Sequence, residues 1–343
     1  MRALLLNELG GVDQVGPGEL PDPPAPGPGQ VSIEVRAAAL NHLDLFVLGG
    51  LPGIELAFPH IVGTDAAGVI REVGEGVQGL APGDRVVLNP GVSCGVCDQC
   101  VSGQDPLCRR FGVLGEHSPG TVCELLVVPA RNVEKLTAEL SWPEAAALPL
   151  ATLTAWRMLT TRARVERGES VLIWGIGGGV SLAALQIAKH LGATVIATSS
   201  SDAKLETARA LGADLTLNHA TADVAREVRR FTKIGAHVVV DSVGEKTWER
   251  SLKALRPGGR LVTCGATTGP HVSIDIRRLF WFQWSLLGST MGSVPEFREV
   301  IAVANSGKLR PIVDTVVPLA EGRKAFERLA SGKQLGKVVI QVS

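Results

Sequence analysis

The stretch Ser170-Val171-Leu172-Ile173-Trp174-Gly175-Ile176-Gly177-Gly178-Gly179-Val180-Ser181 is the most informative in the chain. Four apolar residues in a row, closed by a run of glycines, predict a short strand buried on both faces. The glycines predict a tight turn, and Val180–Leu191 has the spacing of a helix opening directly from it. A helix N-terminus reached through glycines presents free N–H groups and a positive dipole end, which suit a pyrophosphate. The string departs from G-x-G-x-x-G: Val180 or Ser181 stands where the last glycine would pack helix on strand, and Ser is small enough for that place. A lone glycine turn is weak evidence, so its surroundings matter.

They continue the pattern. Ala193–Thr198 reads as a strand, Asp202–Leu211 as a helix stopping at Gly212, and Asp214–Leu217 as a strand. Thr221–Phe231, Ala236–Asp241, Lys246–Leu255 and Arg260–Cys264 repeat the alternation, with Pro257-Gly258-Gly259 as the turn into the last strand. Alternating short apolar strands and helices mean a parallel sheet covered on both faces, an α/β Rossmann arrangement over residues 151–293. Gly175, Gly177, Gly178, Gly179 and Val180 are therefore read as a dinucleotide cradle. An acid about 20 residues past the glycines would take the ribose hydroxyls of NAD. That place holds Thr198-Ser199-Ser200-Ser201, with Lys204 one turn later. Hydroxyls plus a cation suit a 2′-phosphate, so Ser199, Ser200 and Lys204 favour NADP(H) over NAD(H). Asp202, the nearby acid, is expected to cap its helix.

Residues 1–150 have another texture. Val31–Ala37, Ala67–Val73 and Asp84–Leu88 are short strands between Gly and Pro turns, as in an antiparallel barrel or sandwich. Pro21–Pro28 reads as a surface loop. Within this half, Cys94-x2-Cys97-x2-Cys100-x7-Cys108 packs four thiols into a lobe spanning 91–110. That spacing predicts a closed, structural tetrahedral Zn2+ site rather than four idle thiols. Arg109 and Arg110 follow it and could offset its negative charge. The tail 294–343 mixes the helices Pro295–Asn305 and Glu321–Ala330 with the strands Thr315–Val317 and Lys337–Val342, the last expected to return to the first domain.

Composition excludes several classes. Lys+Arg and Asp+Glu both total 34, so the chain lacks the positive field of a nucleic-acid or anionic-membrane binder. Its apolar runs fall short of a membrane span, and its N-terminal run is too short for a secretory segment. A cytoplasmic enzyme acting on a small molecule is expected.

Together these features resemble the medium-chain, zinc-type alcohol dehydrogenase superfamily from end to end. The supporting stretches are Ala39–Asp44, Pro59–Gly68, Pro82–Val86, the cysteine lobe, Leu153–Trp156, the glycine turn and Gly336–Val339. The resemblance implies a GroES-like barrel domain with a zinc lobe, then a Rossmann domain, then a return to the barrel. Where the family holds a catalytic zinc, this chain has Asn41, Thr64 (with Asp65 after it) and Leu150. All three ligands are replaced, and Asn41 with Asp44 looks like the quinone oxidoreductase branch. The resemblance places Asn41, His42, Asp44 and Thr64 near the nicotinamide, and Thr154, Asp241, Cys264, Gly265, Ser289 and Lys337 by the cofactor or cleft. Blander roles stay open: a loop cap for Asp44, an inert strand thiol for Cys264, a structural imidazole for His42.

Alcohol oxidation must remove a hydroxyl proton, which a Lewis-acid metal makes feasible. Reduction of a quinone or enone needs only donors for the developing oxyanion, and Asn41, His42, Thr64 or a backbone N–H could serve. The expectation is an NADPH-dependent reductase of quinones or activated C=C and C=O bonds. The alternatives are a zinc-dependent alcohol or aldehyde dehydrogenase with a rebuilt site, and a non-enzymatic dinucleotide-binding scaffold or sensor. The resemblance also implies a homodimer or homotetramer, with Ser285–Gly292 as a pairing edge strand. Leu279–Trp284 would line the cleft or a subunit contact.

Overall fold

The computed structural model describes the chain from Met1 to Ser343 and divides it into two compact units. One comprises Met1–Leu153 with Gly292–Ser343, the other Thr154–Met291.

The first unit is built on a seven-stranded sheet. Its long strand Gln30–Ala39 pairs antiparallel with Asp65–Val73 along one edge. Its other edge is shared: residues 30–34 pair with Leu125–Pro129, and residues 37–39 with Lys337–Gln341. Gly68 is required here, since a Cβ would sit 2.1 Å from the Glu34 carbonyl oxygen across the ladder. Lys337–Gln341 runs parallel to Val313–Pro318, and the helix Gly322–Ala330 makes the crossover between them. That helix buries Ala325, Phe326 and Leu329 against the same core as Val31, Ile33 and Val35. The C-terminal strand thus becomes an interior strand of the sheet that Gln30–Ala39 begins.

The second unit is a six-stranded parallel sheet. Its order is Leu215–Asn218, Thr194–Ser199, Ser170–Ile173, Ala236–Asp241, Leu255–Thr263, Ser285–Gly288. Val171, Leu172 and Ile173 have no exposed surface, which is why the strand reads as an unbroken apolar run. From Ser170–Ile173 the next two strands are added on one side, and the three from Ala236–Asp241 onward on the other. In open parallel sheets the crevice beyond such a switch point receives the ligand. The α/β fold with a GroES-like domain and a Rossmann parallel sheet is therefore observed.

Three local expectations are corrected. Pro257-Gly258-Gly259 is not a turn ahead of a strand. It bulges inside Leu255–Thr263, where the register jumps from Leu255 opposite Ala236 to Arg260 opposite Val238. The edge strand ends at Gly288 rather than Gly292. Asp202 is the first residue of its helix, and Ser201 occupies the cap. No helix is long and apolar enough to cross a membrane.

Candidate active site and metal centre

The cysteine lobe lies in the first unit. The four sulfurs of Cys94, Cys97, Cys100 and Cys108 lie within 4.8 Å of one another. Cys94–Cys100, Cys97–Cys100 and Cys94–Cys108 are separated by 3.8, 3.5 and 3.6 Å. Zn–S bonds of about 2.3 Å in a tetrahedron set sulfurs about 3.8 Å apart, so the quartet fits zinc with no open position. Backbone N–H groups of Val96 and Cys97 hold the Cys94 thiol down to about 5. The Arg110 backbone N–H also reaches Cys108 Sγ at 3.3 Å, while the Arg109 and Arg110 side chains are exposed. The lobe is anchored by buried Asp105, which accepts from Ser93 Oγ and from the Val294 N–H, each at 3.1 Å.

In the second unit the glycine turn is closed by Ser181. Its hydroxyl, bonded with the carbonyls of Gly175 and Gly178 at 3.0 Å, accepts from the Gly177 N–H at 3.4 Å. Gly175 takes φ +66°, which a side chain would disfavour. Gly178 caps the helix Gly179–His190 without a side-chain acceptor, leaving that N-terminus open to an anion. Lys204 lies over the turn: a Cβ on Gly177 would be 2.9 Å from its Cδ and 3.2 Å from its Nζ. These features fit a dinucleotide phosphate cradle.

At the end of the second strand, Ser199 is buried and Ser200 exposed, and Ser199 Oγ accepts from the Ser201 N–H at 3.1 Å. Asp202 is engaged by Asn218, whose Nδ2 donates to its Oδ1 at 2.9 Å. Asn218 carries no signal of this in the sequence. Asp241 is fully buried, and its carboxylate organises the helix Glu245–Ala254. It accepts from the N–H groups of Val243 and Gly244 and the hydroxyls of Thr247 and Ser251 at 2.7–3.1 Å. Burial and the Asp241 charge push the Cys264 thiol up to about 12. Gly265 follows it, exposed, with its carbonyl accepting from Thr263 Oγ1 at 3.1 Å. The Ser289 N–H bonds the Thr263 carbonyl at 2.8 Å, while its buried hydroxyl has no partner in the protein. Thr154 is buried at the start of this unit.

The remaining residues meet in the first unit. Asn41 caps the helix His42–Gly49, and its N–H donates to Asp44 Oδ2 at 2.6 Å. Its side-chain Nδ2 donates to Thr64 Oγ1 at 2.7 Å and to Asp65 Oδ2 at 2.9 Å. Lys337 Nζ donates to Asp65 Oδ2 at 2.8 Å and to Asn41 Oδ1. The Leu150 N–H closes the ring on Asp65 Oδ1 at 2.7 Å. Lys337 is 4% exposed, while Asp65 and Thr64 have no exposed surface. Burial raises the Asp44 carboxyl to about 7. Crowding by protein, then the Lys337 charge, lower the pKa of His42, which still presents surface to solvent.

Asn41, Thr64 and Leu150 are thus brought together, with a lysine ammonium among them. Leu150 contributes a backbone donor and no lone pair, and both Asn41 amide protons are engaged. A divalent cation does not fit this donor set, since a resident ammonium already neutralises Asp65. Sequence pattern is enough to single out Asn41, Thr64 and Lys337. Asp65 as the hub and the Leu150 N–H as its second anchor require the fold.

Comparison with known proteins agrees with this architecture. Residues 27–138 match the family model for an alcohol dehydrogenase GroES-like domain, and residues 179–306 that for a zinc-binding dehydrogenase. A zinc-type alcohol dehydrogenase-like protein of Schizosaccharomyces pombe is 34% identical over all of this chain and 99% of its own. The acryloyl-coenzyme A reductase of Metallosphaera sedula is 32% identical over 92% of this chain and 93% of its own. The crystal structure of an NAD-dependent alcohol dehydrogenase superposes with a TM-score of 0.96 at 44% identity, covering the whole of both chains. The fold and the four-cysteine lobe define a zinc-type oxidoreductase. The chain belongs to the medium-chain, zinc-type alcohol dehydrogenase superfamily.

Proposed function

We propose that the protein transfers a hydride from NADPH to quinones or to activated C=C and C=O bonds. The observation that carries this reading is the Lys337 ammonium, held by Asp65 and Asn41 among the three positions where the family holds a metal. That arrangement supplies hydrogen-bond donors and a fixed charge, which suit an oxyanion forming as hydride reaches a conjugated carbon. It offers no Lewis acid to lower the pKa of an alcohol. The acryloyl-coenzyme A reductase among similar proteins is named for reduction of an activated double bond, which supports the reading.

NADPH, bound at the glycine turn, would supply the hydride. Ser181 shapes the turn, the open N-terminus of Gly179–His190 faces the pyrophosphate, and Lys204 adds a cation beside it. Ser199, Ser200 and Lys204 favour the 2′-phosphate, and Asp202 is held by Asn218. We assign one structural Zn2+ to Cys94, Cys97, Cys100 and Cys108. The edge strand Ser285–Gly288 is the surface we assign to a homodimer or homotetramer contact.

A second reading, alcohol dehydrogenation with NAD and zinc, draws on the names of similar proteins. One experiment separates the two: a quinone and an enone with NADPH, run beside ethanol and benzyl alcohol with NADP+ and NAD+. The proposal expects reduction of the first pair and slow oxidation of the second. Fast, chelator-sensitive alcohol oxidation would overturn it.

A further inference from the structure

The charged side chains within residues 91–110 are Asp98, Asp105, Arg109 and Arg110, and they cancel. Four thiolates around Zn2+ add two negative charges that nothing within the lobe balances. Cys108 and Asp105 are buried, so part of that charge must be met by the protein rather than by water. The turn Ala130–Asn132, outside the lobe, delivers a cation to it. Fully buried Asn132 donates through Nδ2 to the carbonyls of Asn89 and Gly91 at 2.9 and 2.7 Å, which pins the turn against the start of the lobe. Half-buried Arg131 then reaches over Ser93-Cys94-Gly95. Its Nη2 donates to the Ser93 carbonyl and, at 3.2 Å, to Ser93 Oγ. Its guanidinium lies against Gly95, where a Cβ would stand 2.9 Å from Arg131 Cζ and closer still to Nη1. The N–H of the same glycine bonds the Cys100 sulfur, so a single peptide unit separates the guanidinium from the quartet.

Arg131 meets no carboxylate directly. Asp105 is answered by the Ser93 hydroxyl and by the Val294 N–H, the first of the helix Val294–Asn305, where the dipole favours an anion. It is linked to Arg131 only through Ser93 Oγ. Arg109 and Arg110 are exposed, so solvent and salt screen their charges. A guanidinium is weakly hydrated and always charged, which suits a half-buried counter-ion. Resting on the zinc assignment above, we infer that Arg131 is a positioning residue of the metal centre and its counter-charge. It holds Ser93-Cys94-Gly95 in place through the Ser93 carbonyl, and its charge balances the thiolates across Gly95. The cysteine spacing gives no sign of it, because Arg131 comes from a turn beyond the motif.

The experiment measures the zinc dissociation constant of the full-length, zinc-loaded protein by competition with a chromogenic chelator. The variants are Arg131→Gln, Arg131→Lys, Arg131→Met and the double variant Arg109→Gln/Arg110→Gln. Arg131→Gln removes the charge and keeps an N–H donor, whereas Arg131→Lys keeps the charge and loses the fork. The inference expects Arg131→Gln to weaken zinc binding by about 10–100-fold, on the scale of a lost outer-shell partner. Arg131→Met repeats that loss with an apolar chain, so the result does not hang on one variant folding well. Arg131→Lys should stay within about fivefold of wild type, and the exposed double variant within about threefold. A side chain that only stiffens the turn would lower the melting temperature and leave the zinc constant alone. An Arg131→Gln constant within about twofold of wild type overturns the inference, and so does an Arg131→Lys variant as weak as Arg131→Gln. Either result leaves the zinc assignment intact. A wild type that binds no zinc overturns both.

Discussion

Asp44 offers a direct measure of how this site handles charge. Its carboxyl is 2% exposed and accepts one backbone N–H, from Asn41 at 2.6 Å. Burial raises its pKa from 3.8 to about 7; the Asn41 hydrogen bond and the Lys337 charge oppose the rise, and Asp65 adds to it. An acid whose pKa rises on folding binds its proton more tightly in the folded state. Its favourable contribution is therefore complete below the unfolded-state pKa and is lost as pH climbs through about 7. Between about pH 5 and 8 the folded carboxyl gives up its proton while the unfolded one is already ionised. The window spans about two pH units of full linkage, about 3 kcal/mol at about 1.36 kcal/mol per unit. Asp44→Asn keeps an acceptor oxygen for the Asn41 N–H and removes the titration. For a chain of 343 residues about 1 kcal/mol moves the melting temperature by about 1.4 °C. The melting temperature of Asp44→Asn minus that of wild type should therefore grow by about 4 °C from about pH 5 to pH 8. Circular-dichroism melts of both proteins across that range provide the test. Parallel pH dependences would refute the reasoning, because they would mean the carboxyl ionises in the folded protein as freely as in the unfolded one.

Elemental analysis should find one zinc per chain, and Cys97→Ser should lose it and melt lower while still turning over at low temperature; two zincs would contradict the site description. Ser199→Asp should shift cofactor preference from NADPH toward NADH through repulsion of the 2′-phosphate, read as the ratio of kcat/KM values. A wild-type preference for NADH would remove the basis of that prediction. Asn41→Ala removes the amide that bridges Lys337, Asp65 and Thr64, so turnover should fall by about one to three orders of magnitude in the enone assay; an unchanged kcat would show that the reaction does not depend on this amide.

Much of the molecule is legible in the sequence because the relevant signals are local. Ser170–Ile173 is buried on both faces, so its side chains are almost uniformly apolar, and the glycines after it are set by the turn they make. Cys94, Cys97, Cys100 and Cys108 are close enough along the chain for spacing alone to imply a shared ion. Asp202 shows the limit of such signals. Helix-cap chemistry points to it as the cap, but the chain turns one residue earlier, and the acid pairs with Asn218 on the neighbouring strand. Pro257–Gly259 reads as a turn because Pro and Gly usually break strands, whereas a bulge absorbs them within the ladder. The active-site network lies furthest from view. Asn41, Asp65, Leu150 and Lys337 sit on separate elements up to 296 positions apart. Which donor meets which acceptor among them depends on the register between Gln30–Ala39, Asp65–Val73 and Lys337–Gln341. Residue order is sufficient for the two architectures, the cysteine quartet and the absence of the usual ligand types. That a lysine ammonium neutralises Asp65 where those missing ligands would meet is a property of the folded chain, because a buried ion pair is made by long-range pairing and desolvation that no local pattern encodes.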